Sequence, residues 1–281
     1  MTLTVFLAVL LAAAMHAIWN AMVKVRLDRF ASVTLMTFGM AATAIPFAPF
    51  VDFPPAPVWF WIVLSCMCHM GYKLFLIRTY EAGDLAQTYP LARGTAPLLT
   101  TIGGIFLVSE IPSSVSILGI ALLCTGTLLM SFRGGVHLEQ LNRSAVGYAL
   151  VTSIFIAGYT LTDGSGARLA SSATSYAVWL FISDGLWSLI LCLFLRGKGT
   201  LSAIAMEWKI GAVTGFLSAA AYWIAMWAMT KAPIASVAAL RETSILFAMM
   251  ISVFSLGEKM TGWRGAAALS IVAGVIALRL G

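Results

Sequence analysis

The sequence predicts an all-α integral membrane protein of about ten transmembrane helices, laid out as two inverted five-helix repeats. Composition, the spacing of apolar runs and an internal register predict it. The 281 residues are 60% hydrophobic and only 10% charged, with a mean hydropathy of +0.95. Soluble domains run at about 45–50% apolar and about 25% charged. The departure excludes a soluble enzyme, a nucleic-acid-binding module and a disordered chain, each of which needs polar surface. Ten membrane helices of about 20 residues would use roughly 200 of the positions and leave only short loops.

The apolar runs justify each helix in turn. Run 1, residues 3–23, has no Lys or Arg ahead of it, so it reads as a retained membrane helix and not a cleaved leader. Run 2, 31–50, ends at Asp52-Phe53-Pro54-Pro55, and run 3 covers 58–79. Run 4, 86–108, contains Pro90 and Pro97. Each removes a backbone donor, so this helix is expected to be interrupted. Run 5, 114–132, stops at Arg133-Gly134-Gly135, where the longest loop begins. Run 6, 145–162, is expected to end beside Asp163, which reads as a solvated helix end. Run 7, 173–195, stops at Arg196-Gly197-Lys198-Gly199. Run 8, 209–230, carries Gly211 and Gly215 at the spacing of close helix contacts in lipid. Run 9, 233–256, ends at Leu256-Gly257-Glu258-Lys259, and run 10 covers 262–280. None alternates as barrel strands do.

The register supplies the two-fold layout. A shift of 148 positions places Arg93 on Arg241, Thr95 on Thr243, Leu98 on Leu246, Phe106 on Phe254, Glu110 on Glu258 and Gly126 on Gly274. An intramembrane Arg is costly, so its recurrence at one register is informative. The halves are residues 1–132 and 145–281, joined by a linker at 133–144. An odd number of helices per repeat forces the second copy to insert upside down. Inverted repeats around a midplane site mark secondary transporters.

Phe254-Ser255-Leu256-Gly257-Glu258-Lys259-Met260-Thr261, then Gly265 and Ala273-Gly274-Val275, resembles the closing signature of EamA-type transporters of the drug/metabolite transporter superfamily. Leu107-Val108-Ser109-Glu110-Ile111-Pro112, with Gly119 and Gly126, is a worn first copy. The opening His16-Ala17-Ile18-Trp19-Asn20-Ala21, with Lys24, is similar to a subset of that family. The resemblance spans essentially the whole chain. It implies a two-fold bundle, a central cavity lined by helices 1, 3, 4, 6, 8 and 9, alternating access, and a metabolite such as an amino acid as the solute.

Charge distribution orients the chain. The net charge of +6 sits mostly at run ends, which suits lipid headgroups and not nucleic acid. Lys24, Arg26, Arg29, Arg78, Arg133, Arg143, Arg196, Lys198, Lys209, Lys259 and Arg264 follow odd-numbered runs. Only Arg168, Lys231 and Arg279 lie on the other side. The positive-inside rule puts the first group in the cytoplasm and both termini outside. Related transporters are usually drawn the other way round.

Ionisable groups in the middle of membrane helices are functional candidates. Here they are His16, His69, Lys73, Arg93, Asp184, Arg241 and Glu242. Without the histidines they sum to three positive against two negative, a balance suited to a carboxylate, a phosphonate or the acid end of an amino acid. The alternative is internal pairing, for instance Arg93 with Asp184. Run 1 places His16 and Asn20 on one face beside Trp19, and run 3 places His69 and Lys73 together, with Lys73 in snorkelling reach of the interface. Run 4 places Tyr89 with Arg93, the expected anion anchor. Tyr159 on run 6 and Tyr222, Trp223 and Trp227 on run 8 complete the expected site. Glu110 and Glu258 read as first-turn carboxylates of the helices that follow them.

Cys66, Cys68, Cys124 and Cys192 read as packing thiols. Cys66, Cys68 and His69 point in different directions on a helix, so no metal site is expected. No His-Glu-x-x-His, Gly-x-Ser-x-Gly or Walker loop occurs. The expectation is a non-enzymatic, cofactor-free secondary-active transporter in a bacterial inner membrane. It is expected to be a monomer that exports a small polar solute, with a proton as the candidate coupling ion. The rivals are a flippase for an amphipathic lipid, an intramembrane enzyme lacking the acid/base cluster it would need, and a channel lacking a filter sequence.

Overall fold

A computed structural model describes residues 1–22, 28–83, 85–131, 142–257 and 259–281, without the side chains of Arg29, Tyr80, residues 85–87, Tyr89, Ser131, Ser255 and Leu256. Most of the described residues are helical, and none of them lies in a strand. The helices are α1 (Leu3–Met22), α2 (Arg29–Ala44), α3 (Ala56–Ala82), α4 (Leu85–Leu107), α5 (Ser114–Ser131), α6 (Arg143–Leu169), α7 (Ala173–Leu195), α8 (Gly197–Met206), α9 (Trp208–Met229), α10 (Ile234–Arg241), α11 (Ser244–Leu256) and α12 (Gly262–Leu280). Runs 1 to 7 correspond to α1–α7, run 8 to α9, run 9 to α10 with α11, and run 10 to α12. Among the described residues, eight helical segments are long and apolar enough to cross a membrane. The linker expected at 133–144 and the recurring Glu258 fall largely or wholly outside the described residues.

Local chemistry sets the boundaries. Asp28 Oδ1 accepts the Ala31 N–H at 2.8 Å, and Asn142 Oδ1 accepts the Ser144 N–H at 2.9 Å. Ser172 and Thr261 cap α7 and α12 in the same way. Each oxygen satisfies a first-turn donor that has no helical acceptor. A wide band of large apolar side chains remains exposed, including Leu3, Leu7 and Leu11 on α1 and Phe106, Phe194 and Phe254. Such a surface belongs in lipid, where helices satisfy their own backbone.

Two expectations about helix continuity are corrected. α4 runs unbroken through Pro90 and Pro97. Side-chain hydroxyls serve its carbonyls: Ser153 Oγ donates to Ala92 O at 2.9 Å and Thr101 Oγ1 to Pro97 O at 2.7 Å. The interruption lies in run 9, whose proline, Pro233, stands at the start of α10 and not at the break. There Glu242 and Thr243 turn through shortened bonds, Glu242 N–H to Ala239 O and Thr243 N–H to Leu240 O. The second correction concerns α6, which continues past 162 to Leu169.

The packing pattern repeats itself. α3 packs along α6 as α9 packs along α1, and α4 against α6 as α10 and α11 against α1. α5 and α12 cross where Ser270 Oγ donates to Leu122 O at 2.8 Å. Those two positions are separated by the 148-residue register itself. A Cβ on Gly119 would stand 2.9 Å from Gly274 O, and one on Gly126 2.8 Å from Ala267 O. The shift exchanges these two contacts, and their order along the chains makes the crossing antiparallel.

The α2–α9 crossing is similarly close, because a Cβ on Gly39 would strike the backbone of Gly211 and Gly215. Backbone cannot rotate aside, so Gly39→Ala is expected to cost about 1–3 kcal/mol through overpacking. Gly147 faces open space on α6, and Gly147→Ala is expected to gain up to about 1 kcal/mol from helix propensity. Melting temperatures in one detergent compare them; equal values would show that the α2–α9 crossing is loose.

Candidate functional site

The bundle holds a partly open cavity of about 120 Å³. Its walls come from the C-terminal part of α1, the N-terminal half of α2, the C-terminal half of α3, Arg93 on α4, Tyr159 on α6, the middle of α7 and α9, and Arg241 at the end of α10. The cavity therefore leans toward the end of the bundle that holds the α1–α2 and α3–α4 connections. α2 and α7 contribute walls that the implied lining of helices 1, 3, 4, 6, 8 and 9 did not include.

Ten of the fourteen expected side chains meet at this cavity: His16, Trp19, Asn20, His69, Lys73, Arg93, Tyr159, Asp184, Tyr222 and Arg241. Glu242 lies behind Arg93, buried. Trp223 instead donates its Nε1–H to Thr174 Oγ1 at 3.2 Å and packs edge-on against Phe47. Trp227 packs into the apolar cluster around Met229 and Ile234. The side chain of Tyr89 lies outside the described residues.

Most of the charges cancel in pairs. Lys73 Nζ reaches both Asp184 oxygens at 2.8 Å and Ser188 Oγ at 2.6 Å. Lys73 is thus buried in an ion pair and does not snorkel, because α3 extends to Ala82 and carries it inward. Arg93 pairs with Glu242, Nε to Oε2 at 3.1 Å and Nη2 to Oε1 at 2.9 Å, and not with Asp184. Arg241, the register partner of Arg93, sits differently. Its guanidinium carbon lies 4.8 Å from the Tyr222 ring centroid, and it makes no ion pair among the described residues. Pairing thus removes two cations and two anions from the expected balance and leaves one guanidinium facing the cavity.

Unsatisfied nitrogens stand near it. His16 and Trp19 contact each other edge-on at 4.8 Å, and both line the cavity, yet His16 Nε2 and Trp19 Nε1 are buried without a hydrogen-bond partner among the described residues. Buried donors are normally satisfied, so such orphans point to a missing group. Next to Arg241, Tyr222 belongs to an aromatic cluster in which His69 stacks on Tyr159 at 4.3 Å, with Tyr72 and Tyr222 edge-on to Tyr159. His69 Nδ1 is held by Ser65 on its own helix. The site is a polar, cationic corner against an aromatic wall.

Asp163 is the residue that sequence reasoning missed. It is fully buried and accepts hydrogen bonds from Tyr176 Oη at 3.0 Å and from Tyr222 Oη. The seven further residues of α6 turn an expected helix end into helix interior. The available signal was the polar stretch Thr160, Thr162 and Asp163 ahead of Ser171-Ser172, a better stop than Gly164.

The other end of the bundle is tied together by an ion pair. Arg168 Nη2 meets Glu110 Oε1 at 2.5 Å, and Arg168 also donates to Met229 O and Ala232 O. Glu110 Oε2 accepts the Ile234 N–H at 2.8 Å. Glu110 thus serves a helix N-terminus, but that of α10 and not of α5, which follows it in sequence. One cluster ties α6, the α4–α5 connection, α9 and α10 together.

Comparison with known proteins gives three findings. The model of the EamA-like transporter family matches the chain twice, over residues 3–132 and 143–280. No curated protein matches it. A solved structure described only as "Crystal structure of protein" superposes with a TM-score of 0.76 at 18% identity. That match covers 99% of this chain and 96% of the other. At that identity the likeness shows the fold alone.

Proposed function

The chain belongs to the EamA-like transporter family, and on that premise we propose that it is a secondary-active carrier of a small solute bearing a carboxylate or phosphonate, amino acids included. The single observation that supports the solute class is Arg241, facing the cavity beside the His16 and Trp19 nitrogens, none of the three having an ion pair or hydrogen-bond acceptor among the described residues. A guanidinium and an indole N–H only donate, and His16 Nε2 donates in one tautomer. Their complement is a ligand with acceptor oxygens, and the planar fork of an arginine matches a carboxylate or phosphonate. The aromatic wall that adjoins Arg241 through Tyr222 suits the remainder of the solute.

Alternating access is supported by the asymmetry of the bundle. The cavity leans to one end, while the Arg168–Glu110 ion pair ties helices together at the other. Exchange of the two ends would follow from ten spans in two inverted halves, 1–132 and 145–281. The mutually exchanged contacts of α5 with α12 favour that two-fold relation. The surplus of Lys and Arg after odd-numbered runs favours a cytoplasmic position for the end toward which the cavity leans. Lys198→Cys in a variant lacking the native cysteines is therefore expected to resist an impermeant thiol reagent in intact cells. Ready labelling there would reverse the orientation.

A thermal-shift screen of the purified carrier against carboxylates, phosphonates, amino acids and nucleobases tests the solute class. A ligand at about 100 times its dissociation constant stabilises by about 2.7 kcal/mol. Hits are then followed as uptake into liposomes. Stabilisation by neutral nucleobases and by no anion would overturn the reading. Movement of a labelled phospholipid between leaflets, without solute uptake, would favour the flippase.

A further inference from the structure

We propose that Asp163 is the proton site of this carrier and that Tyr222 links it to the anion at Arg241, so that one proton and one anionic solute cross together. The inference rests on the anion reading of Arg241. Three observations carry it. Asp163 is fully buried in a membrane-spanning helix, held by the hydroxyls of Tyr176, Tyr222 and Ser65 and by no cation within ion-pair distance among the described residues. The other two carboxylates buried within the bundle, Asp184 and Glu242, each have a cation in contact. Tyr222 binds Asp163 through its hydroxyl and holds Arg241 against its ring, so one side chain touches both groups.

An ionised carboxylate buried without a counter-charge is costly, and a proton removes that cost. With Asp163 protonated, Arg241 is the one net charge of the site and takes an anion. With Asp163 ionised, the site already holds a negative charge one tyrosine ring away from Arg241, and the anion is released. Loading takes the proton from water on one side of the membrane, and unloading returns it to water on the other. Linkage makes the effect reciprocal: the anion favours proton uptake as much as the proton favours the anion. An inward proton gradient then drives the anion inward, opposite to the export expected from the sequence.

The ionisable groups around Asp163 are His69, Cys66 and Cys68 on α3, Tyr176 on α7, Tyr222 on α9 and Tyr159 on α6 itself. α4 and α10, which also pack on α6, set no charged side chain directly against it among the described residues. Imidazole and carboxyl signals must therefore be separated by the experiment.

The test uses the purified full chain in liposomes loaded with a pH-sensitive dye, with L-glutamate and methylphosphonate as membrane-impermeant probe anions and protein-free liposomes as the blank. Each probe is expected to carry protons inward with about one proton per anion, and a proton gradient is expected to accumulate the probe. Infrared difference spectra on probe binding are expected to gain a protonated-carboxyl band that Asp163→Asn lacks. In that variant probe exchange should no longer depend on pH, and gradient-driven accumulation should fall by at least tenfold. Tyr222→Phe keeps the ring and removes the hydroxyl; it should weaken the pH dependence of probe binding, and it provides the test where Asp163→Asn does not fold. Probe binding without proton uptake, or a carboxyl band that survives Asp163→Asn, overturns the coupling alone. Failure of both probes to bind overturns the coupling together with the anion reading.

Discussion

Arg241→Ala is expected to abolish solute binding while leaving a folded protein. Removing one partner of a desolvated, hydrogen-bonded charge pair costs about 2–5 kcal/mol. At 1.4 kcal/mol per decade that is roughly a 30- to 4000-fold rise in dissociation constant. Stability should change far less. Arg241 has no ion pair to lose among the described residues, and its contact with Tyr222 is a cation–π interaction of about 0.5–2 kcal/mol. Its place in the last turn of α10 adds about 0.3–1 kcal/mol against the helix dipole. Arg241→Lys keeps the charge but loses the planar fork, so its affinity should fall between those of the parent and Arg241→Ala. Binding by thermal shift and uptake in liposomes measure both variants beside the unliganded melting temperature. Unimpaired uptake by a folded Arg241→Ala protein would remove Arg241 from the site.

The register partner is expected to behave in the opposite sense. Arg93→Ala leaves Glu242 buried without its counter-charge, and breaking a buried pair in this way costs about 3–5 kcal/mol. The melting temperature should drop sharply, and Arg93→Ala with Glu242→Gln should recover much of the loss, because the second change removes the stranded charge. The same logic applies to Lys73→Ala, with Asp184→Asn as the restoring change. These are tests of the assignment as much as of stability. The sequence made Arg93 the expected anchor. A stable Arg93→Ala protein that fails to bind any anion would return that role to Arg93 and leave Arg241 a bystander.

The difference between the two arginines arises from their neighbours. Residue 242 is Glu, while its counterpart after Arg93 is Gly94. The carboxylate thus belongs to the second half, yet it binds the arginine of the first. The turn at Glu242–Thr243 ends α10 beside its own arginine and lets the carboxylate reach Arg93 on α4. Arg241 is left at the helix end, over Tyr222.

What the sequence determined by itself is what a local or periodic signal carries. Apolar runs of membrane length follow from the cost of unsatisfied backbone in hydrocarbon, so the membrane class and the order of helices were legible. The 148-residue register was legible because a membrane-embedded arginine is too costly to recur by chance. Intramembrane His, Lys, Arg, Tyr, Asp, Trp and Asn were legible as candidates one residue at a time, and ten of them meet at one cavity. Tertiary structure alone decided how they divide the work. Lys73 finds Asp184 across 111 residues and Arg93 finds Glu242 across 149. Such partnerships depend on the rotation and axial offset of helices, which glycine crossings such as Gly39 with Gly211 and Gly215 set to within a side chain. Asp163 shows the same dependence. Seven more residues of α6 and two tyrosines from α7 and α9 convert an apparent helix end into a buried acid, and no pattern along one chain segment encodes that meeting.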